Sequence, residues 1–240
     1  HLETGGMRTH TRSPESSEVH YDSVTPLLEV YRNPSSPPIQ LSIMNVSLSD
    51  YIYVVDDVLT EDFCNHLIER FENDSRIEFG MIGDEENKRV DRSIKDSMDL
   101  HISSLDDWKD EDEVLFKALN KHIKIYLQQT DFLNDPLGIC FEHLKDTGYQ
   151  IQRTSPSSGY TWHHDSMQGE YVRQHGMRHS TFIWYLNDIK NDGYTEFVDG
   201  TKIQPKTGRM CIFPSLWNYY HRGYPPVDEI KYIVTGWLHA

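Results

Sequence analysis

At 240 residues the chain is long enough for one large domain whose core needs no disulfides. Its 38 acidic against 23 basic residues, a formal net charge of -15, exclude general nucleic-acid binding, which needs clustered Lys and Arg, and no basic stripe is present. No apolar run approaches the roughly 20 residues of a membrane span and no secretory h-region is seen, so the expectation is a soluble, cytoplasmic or otherwise intracellular protein without a membrane partner.

Residues 1 to about 45 are rich in Ser, Thr, Pro and Asn, with Asn33-Pro-Ser-Ser-Pro-Pro38 the clearest structure breaker, and are expected to form an extended or flexible leader. His1 to Gly6 precede the first methionine, Met7, and read as a non-native remnant. Residues 46–240 are expected to be a single domain. Tyr51 to Val55 reads as a strand, and Thr60 as the N-cap of a helix carrying Phe63, Leu67, Ile68 and Phe71 at helical spacing. A second helix is predicted over Val114 to Gln129, so helical support covers about 58–130.

From about Gly138 the pattern changes to short apolar or alternating runs separated by turn residues, the signature of a sandwich or barrel. Strands are predicted over Tyr149–Thr154, Tyr160–His164, Ser180–Leu186, Thr195–Val198, Arg209–Phe213, Asn218–His221 and Lys231–Leu238. Helices followed by strands imply an α+β fold. Cys64, Cys140 and Cys211, an odd number in apolar surroundings, read as reduced packed thiols.

The chemistry concentrates in His163-His164-Asp165 and the later His221 and Lys231. Side chains two apart on a strand share a face, so His163 and Asp165 can grip one metal while His164 points away. With His221 they offer two imidazoles and a carboxylate, the set that leaves three octahedral positions of ferrous iron open. A closed zinc site would use four ligands, often thiolates, and no Cys-x-x-Cys is present. His20-Tyr-Asp22 has the same spacing as His163 to Asp165, but lies in the polar leader with no strand pattern. Lys231 follows His221 across a turn with Gly223, Pro225 and Pro226, which predicts an antiparallel neighbour whose ammonium meets a buried carboxylate.

The ordered set Gly159-Tyr-Thr-Trp-His-His-Asp165, Arg178-His-Ser-Thr-Phe-Ile-Trp-Tyr-Leu-Asn187, Gly193-Tyr-Thr-Glu-Phe197, Pro205-Lys-Thr-Gly208 with Phe213, His221-Arg-Gly, Pro226, Lys231 and Trp237-Leu-His239 resembles the 2-oxoglutarate and Fe(II)-dependent dioxygenases, prolyl 4-hydroxylase type. The resemblance runs from Val54 to Ala240. It implies a double-stranded β-helix, or jelly-roll, core over about 138–240 with supporting N-terminal helices.

It also implies iron at His163, Asp165 and His221, with the distal carboxylate of 2-oxoglutarate at Lys231 and Thr195. Tyr160, Arg178, Trp237 and His239 would stand on the substrate side. Thr154 replaces the tyrosine that usually contacts 2-oxoglutarate, and the Gly-Gly-x-Thr element becomes Asp192-Gly-Tyr-Thr195. The implied reaction couples oxidative decarboxylation of 2-oxoglutarate to hydroxylation of an aliphatic carbon, with O2 and with ascorbate as reductant. The implied substrate is a prolyl residue in a peptide or protein. A free amino acid or other small molecule is the alternative, and a non-catalytic jelly-roll metal-binding or interaction module is the alternative of another class. Met167 to Met177, with Gly169 and Gly176 near its ends, is predicted to be a covering loop.

Overall fold

A computed structural model of the chain describes residues 47–83, 87–130 and 144–240. The leader, the His20/Asp22 pair and Cys140 lie outside them. In chain order the elements are β1 (Tyr53–Val55), α1 (Glu61–Glu72), β2 (Glu78–Phe79), β3 (Met81–Ile82), β4 (Arg89–Val90), β5 (Met98–His101), α2 (Lys109–Gln129), β6 (Lys145–Asp146) and β7 (Gln150–Thr154). They continue with β8 (Tyr160–His163), α3 (Glu170–His175), β9 (Arg178–Tyr185), β10 (Thr195–Phe197), β11 (Lys202–Ile203), β12 (Met210–Pro214), β13 (His221–Gly223) and β14 (Lys231–His239). Every pairing between these strands is antiparallel.

Two sheets make the jelly-roll core. The major one has eight strands in the order β1-β12-β9-β14-β7-β5-β2, with β6 added to β14; the minor one runs β11-β10-β13-β8. One face of the major sheet presents Leu100, Ile151, Phe182, Trp184, Ile212 and Val234 to the helices, which contribute Leu67, Phe71, Leu115, Leu119 and Ile123 to the same core. Strand alternation sends the intervening residues inward. Ile183, Tyr185, Cys211 and Phe213 therefore pack with Phe197 and Ile203 from the minor sheet. Because both faces of β9 are covered along its second half, Phe182 to Tyr185 read as a continuous apolar run rather than an alternating one.

Thr60 caps α1, its hydroxyl accepting from the Phe63 amide at 3.3 Å. α2 begins at Lys109, earlier than its apolar stripe predicts, because Asp110, Glu111 and Asp112 fill a first turn where the helix dipole favours acids. The region expected to be helical support also contains β2 to β5, and β5 pairs with β7 inside the major sheet. Gly208, at φ +75°, lets the β11–β12 turn lie against α1's entry. A Cβ there would collide with the Leu59 carbonyl, while Gly208's own carbonyl accepts from the Val58 and Leu59 amides. Cys64 and Cys211 are buried free thiols. Among the described residues no helix is long and apolar enough to cross a membrane.

Candidate metal and cosubstrate site

β8 and β13 are antiparallel neighbours with His221 directly opposite His163. The predicted strand over Asn218–His221 instead begins at His221, since Leu216 to Tyr219 close a turn in which the Tyr219 amide donates to the Leu216 carbonyl at 3.0 Å. β8 ends at His163, and Asp165 lies just beyond it in the same two-residue phase. Ligand atoms of His163, Asp165 and His221 all lie within 4.8 Å of one another. His164 borders the cavity, but its Nδ1 is 2.8 Å from the Ser166 hydroxyl and its ring tilts toward Tyr220, away from that group.

Hydrogen bonds set the tautomers. Nδ1 of His163 lies 2.8 Å from the Thr161 carbonyl, and Nδ1 of His221 lies 2.9 Å from the Tyr219 carbonyl. A carbonyl only accepts, so each Nδ1 carries a proton, and in the neutral ring Nε2 is the nitrogen left with a lone pair. That arrangement fits a metal ligand. Burial, and then the neighbouring His221, hold the His163 imidazole well below its usual titration range, so it stays neutral. Burial alone would raise the Asp165 carboxyl, but His221, His163 and the Thr181 hydroxyl outweigh it and keep the group ionised. Two neutral imidazoles and one carboxylate are the donors a hard to intermediate divalent cation requires.

Asp165 is held from behind. The Thr181 hydroxyl donates to Oδ2 at 2.7 Å and lies 2.8 Å from the Ser215 hydroxyl, so a buried Ser-Thr pair orients the carboxylate. Thr181→Val should remove that support and keep the shape; metal affinity is expected to fall about 10- to 100-fold, as for other outer-shell partners of metal ligands. Equilibrium dialysis against Mn(II) measures this. An unchanged affinity would mean that Asp165 needs no orienting partner.

A cavity of about 860 Å³ takes in the triad, Lys231, Thr195, Thr154, Tyr160, Arg178 and Trp237. Lys231 does not form a hairpin neighbour to His221, as its turn suggested. Gly223 to Ile230 carry the chain from one sheet to the other, leaving His221 in the minor sheet and Lys231 in the major one, where it pairs with Thr154. Lys231 is 4% exposed, and among the described residues its Nζ donates only to the Gly193 carbonyl, at 3.0 Å. Burial pushes its pKa down to about 8. A nearly dry ammonium with one neutral acceptor has donors left for a carboxylate.

The Thr195 hydroxyl lies 2.7 Å from that of Tyr185, whose fully buried phenol is pushed above its ordinary range. Tyr185 and Thr181 escaped the sequence reading, although both share the inward phase of β9. On the other side of the metal triad the Tyr160 ring stacks on His163, centroids 3.6 Å apart at 15°. The Arg178 guanidinium lies over Trp237 at 3.8 Å and over Tyr171 at 5.4 Å, and donates to the Asp165 carbonyl at 3.3 Å. His239 stands one layer back, its Nε2 3.3 Å from the hydroxyl of Tyr171, which lines the cavity. Tyr171 belongs to α3, a short helix within the segment expected to be a covering loop.

A jelly roll carrying two imidazoles, a carboxylate and a buried ammonium in one cavity has the architecture of a metal-dependent oxygenase. Residues 149–239 match the model of the 2OG-Fe(II) oxygenase superfamily. A protein of Acanthamoeba polyphaga mimivirus, whose own assignment as a prolyl 4-hydroxylase is provisional, is 28% identical over 154 residues, 53% of this chain. This chain spans 63% of the length of that curated relative. Among solved structures, the viral collagen prolyl hydroxylase of Paramecium bursaria Chlorella virus-1, in its 2-oxoglutarate complex, is 19% identical with a TM-score of 0.52. That match covers 78% of this chain and 95% of the other. A prolyl hydroxylase from Trichoplax adhaerens, in complex with a hypoxia inducible factor peptide fragment, is 17% identical with a TM-score of 0.60, covering 80% and 84%. At these identities the solved structures show the fold. The family match over residues 149–239 and relatives of the prolyl hydroxylase type support a 2OG-Fe(II) oxygenase domain in this chain.

Proposed function

We propose that the protein is an Fe(II)- and 2-oxoglutarate-dependent dioxygenase that hydroxylates an aliphatic carbon, with a prolyl residue in a peptide or protein as substrate. The observation that carries this reading is the conjunction, in one cavity, of three ligand atoms within 4.8 Å and a buried, nearly unpartnered ammonium. His163, Asp165 and His221 would hold the metal through two Nε2 atoms and a carboxylate oxygen. Lys231 would take the distal carboxylate of 2-oxoglutarate, with Thr195, backed by Tyr185, supplying a hydroxyl. Thr154 lies beside Lys231 on the neighbouring strand, where its short hydroxyl leaves room for a bridging water.

The chemistry supplied by Fe(II), when bound, would be oxidative decarboxylation of 2-oxoglutarate coupled to hydroxylation, one atom of O2 entering succinate and the other the product hydroxyl, with ascorbate only keeping the iron ferrous. The protein's part is placement and exclusion of water. Tyr160 and Trp237 offer flat apolar faces to a pyrrolidine ring, and Arg178, pinned by two aromatic rings, offers donors to a peptide carbonyl. The cavity, at about 860 Å³, is at the large end for a small-molecule pocket, which favours a peptide segment over a free amino acid.

Anaerobic addition of Fe(II) and 2-oxoglutarate is expected to produce a charge-transfer band. With O2 and ascorbate, Pro-containing peptides should gain the mass of one oxygen as succinate forms. No band and no succinate would leave a non-catalytic jelly roll. Product from free amino acids alone would move the substrate to a small molecule.

A further inference from the structure

The wall of the same cavity carries a second ionic feature that the proposed reaction does not use. Lys95, 5% exposed, and Asp99, 4% exposed, form an ion pair at 2.6 Å. Asp99 is saturated: besides Lys95 it accepts from Gln150 Nε2 at 2.8 Å and from the Ser97 hydroxyl at 2.7 Å. Gln150 in turn accepts from Gln152 at 2.9 Å. Lys95 is different. Among the described residues its ammonium has no acceptor other than Asp99, which leaves two N–H groups unspent, and it lies 5.7 Å from the centre of the Tyr160 ring that stacks on His163.

Its backbone is fixed by a bridge to Tyr160 and by its amide donating to the Asp91 carbonyl at 2.9 Å. Gly80 closes the far side, where a Cβ would collide with the Ser97 hydroxyl. As a stabilising device a buried ion pair is poor, since well-packed apolar residues would serve as well. As a fixed donor facing a cavity it has a use.

Charge indicates what that donor meets. The guanidinium of Arg76 is already held by Asp74 and Asp107. Among the described residues the cavity wall then carries four cations, Lys88, Lys95, Arg178 and Lys231, against three carboxylates, Glu78, Asp99 and Asp165. A bound Fe(II) would add two positive charges and 2-oxoglutarate remove two. One positive charge is left over, inside a chain of net charge -15.

We infer that Lys95, positioned by Asp99, is a specificity-determining residue that receives a carboxylate of the substrate close to the carbon being hydroxylated. This rests on the dioxygenase reading above. The carboxylate belongs either to an Asp or Glu side chain flanking the prolyl residue or to the α-carboxylate of a chain end or free amino acid; the chemistry is the same and the probes separate the two.

The test measures binding to the Mn(II)- and 2-oxoglutarate-loaded protein without oxygen, by calorimetry, for Pro peptides with Glu or Gln beside the proline, with a free or amidated C-terminus, and for free L-proline. A charge-assisted hydrogen bond replacing a neutral one is expected to give the carboxylate form at least about tenfold tighter binding. Preference for Glu assigns an internal acidic residue, and preference for the free terminus assigns the α-carboxylate. Lys95→Met should erase the preference, and Lys95→Arg, which keeps the ion pair, should retain it in part. These comparisons on the unaltered protein stand even if Lys95→Met misfolds. Equal affinity across all pairs, in a protein that does give the Fe(II)–2-oxoglutarate band, overturns the subsite and leaves the reaction standing. Absence of the band overturns both.

Discussion

Asp165→Ala is expected to abolish turnover, lowering it by well over the ~100-fold that loss of an outer-shell partner costs a metal site. Asp165 would supply the single anionic arm of the metal set, and the other two ligands are imidazoles whose Nδ1–H groups face the Thr161 and Tyr219 carbonyls. Without it, two neutral donors remain and the hydroxyls of Thr181 and Ser215 face an empty space. Far-ultraviolet circular dichroism should be unchanged, because Asp165 lies past the end of β8 and carries no ladder bond of that strand. Asp165→Asn is the sharper control. It keeps the size and one acceptor, so a loss close to that of Ala would assign the effect to charge. Turnover by Asp165→Ala at the unaltered rate would remove the reaction from this site.

The site was legible where chemistry follows local period and unreadable where it depends on topology. The two-residue phase of a strand singles out His163 and Asp165 over His164 whether or not Asp165 is inside β8. The pairing of His221 with His163 follows from a jelly roll's habit of setting late strands beside early ones. Lys231 shows the limit. A Gly- and Pro-rich turn reads as a hairpin, yet the chain crosses from one sheet to the other, because the cavity lies between them. β5 was invisible for a different reason: Met98-Asp-Leu-His101 is short and half polar, and it is a strand because β7 stands beside it. The Lys95, Asp99 and Gln150 network includes a bond between Asp99 and Gln150, 51 positions apart, a separation that no local period marks.

Lys231→Met is expected to raise the KM for 2-oxoglutarate by about 30- to 5,000-fold, since truncating one partner of a buried charge pair costs ~2–5 kcal/mol. The apoprotein should melt no lower than the parent, because an apolar side chain of similar length replaces an ammonium whose burial is met only by the Gly193 carbonyl. Proton linkage gives a second signature. Burial lowers the folded-state pKa to about 8, against roughly 10.4 in an unfolded chain. Between those values the unfolded state binds the proton and the folded state does not, so the apoprotein gains stability as pH rises through this window and gains none below it.

Binding a dianion reverses the preference, since the charged ammonium is the form that a carboxylate selects. Below about pH 8 Lys231 is already protonated and 2-oxoglutarate affinity should be flat on its account. Above it each molecule bound must take up a proton, and the Kd should weaken by up to about tenfold per pH unit. Tyr160, on the same wall, has its hydroxyl pushed above its ordinary range by burial and does not titrate in this window. Calorimetry in two buffers of different ionisation enthalpy at pH 9 reads the proton directly. A Kd independent of pH between 7 and 10, with no proton uptake, would show that the distal carboxylate has another partner.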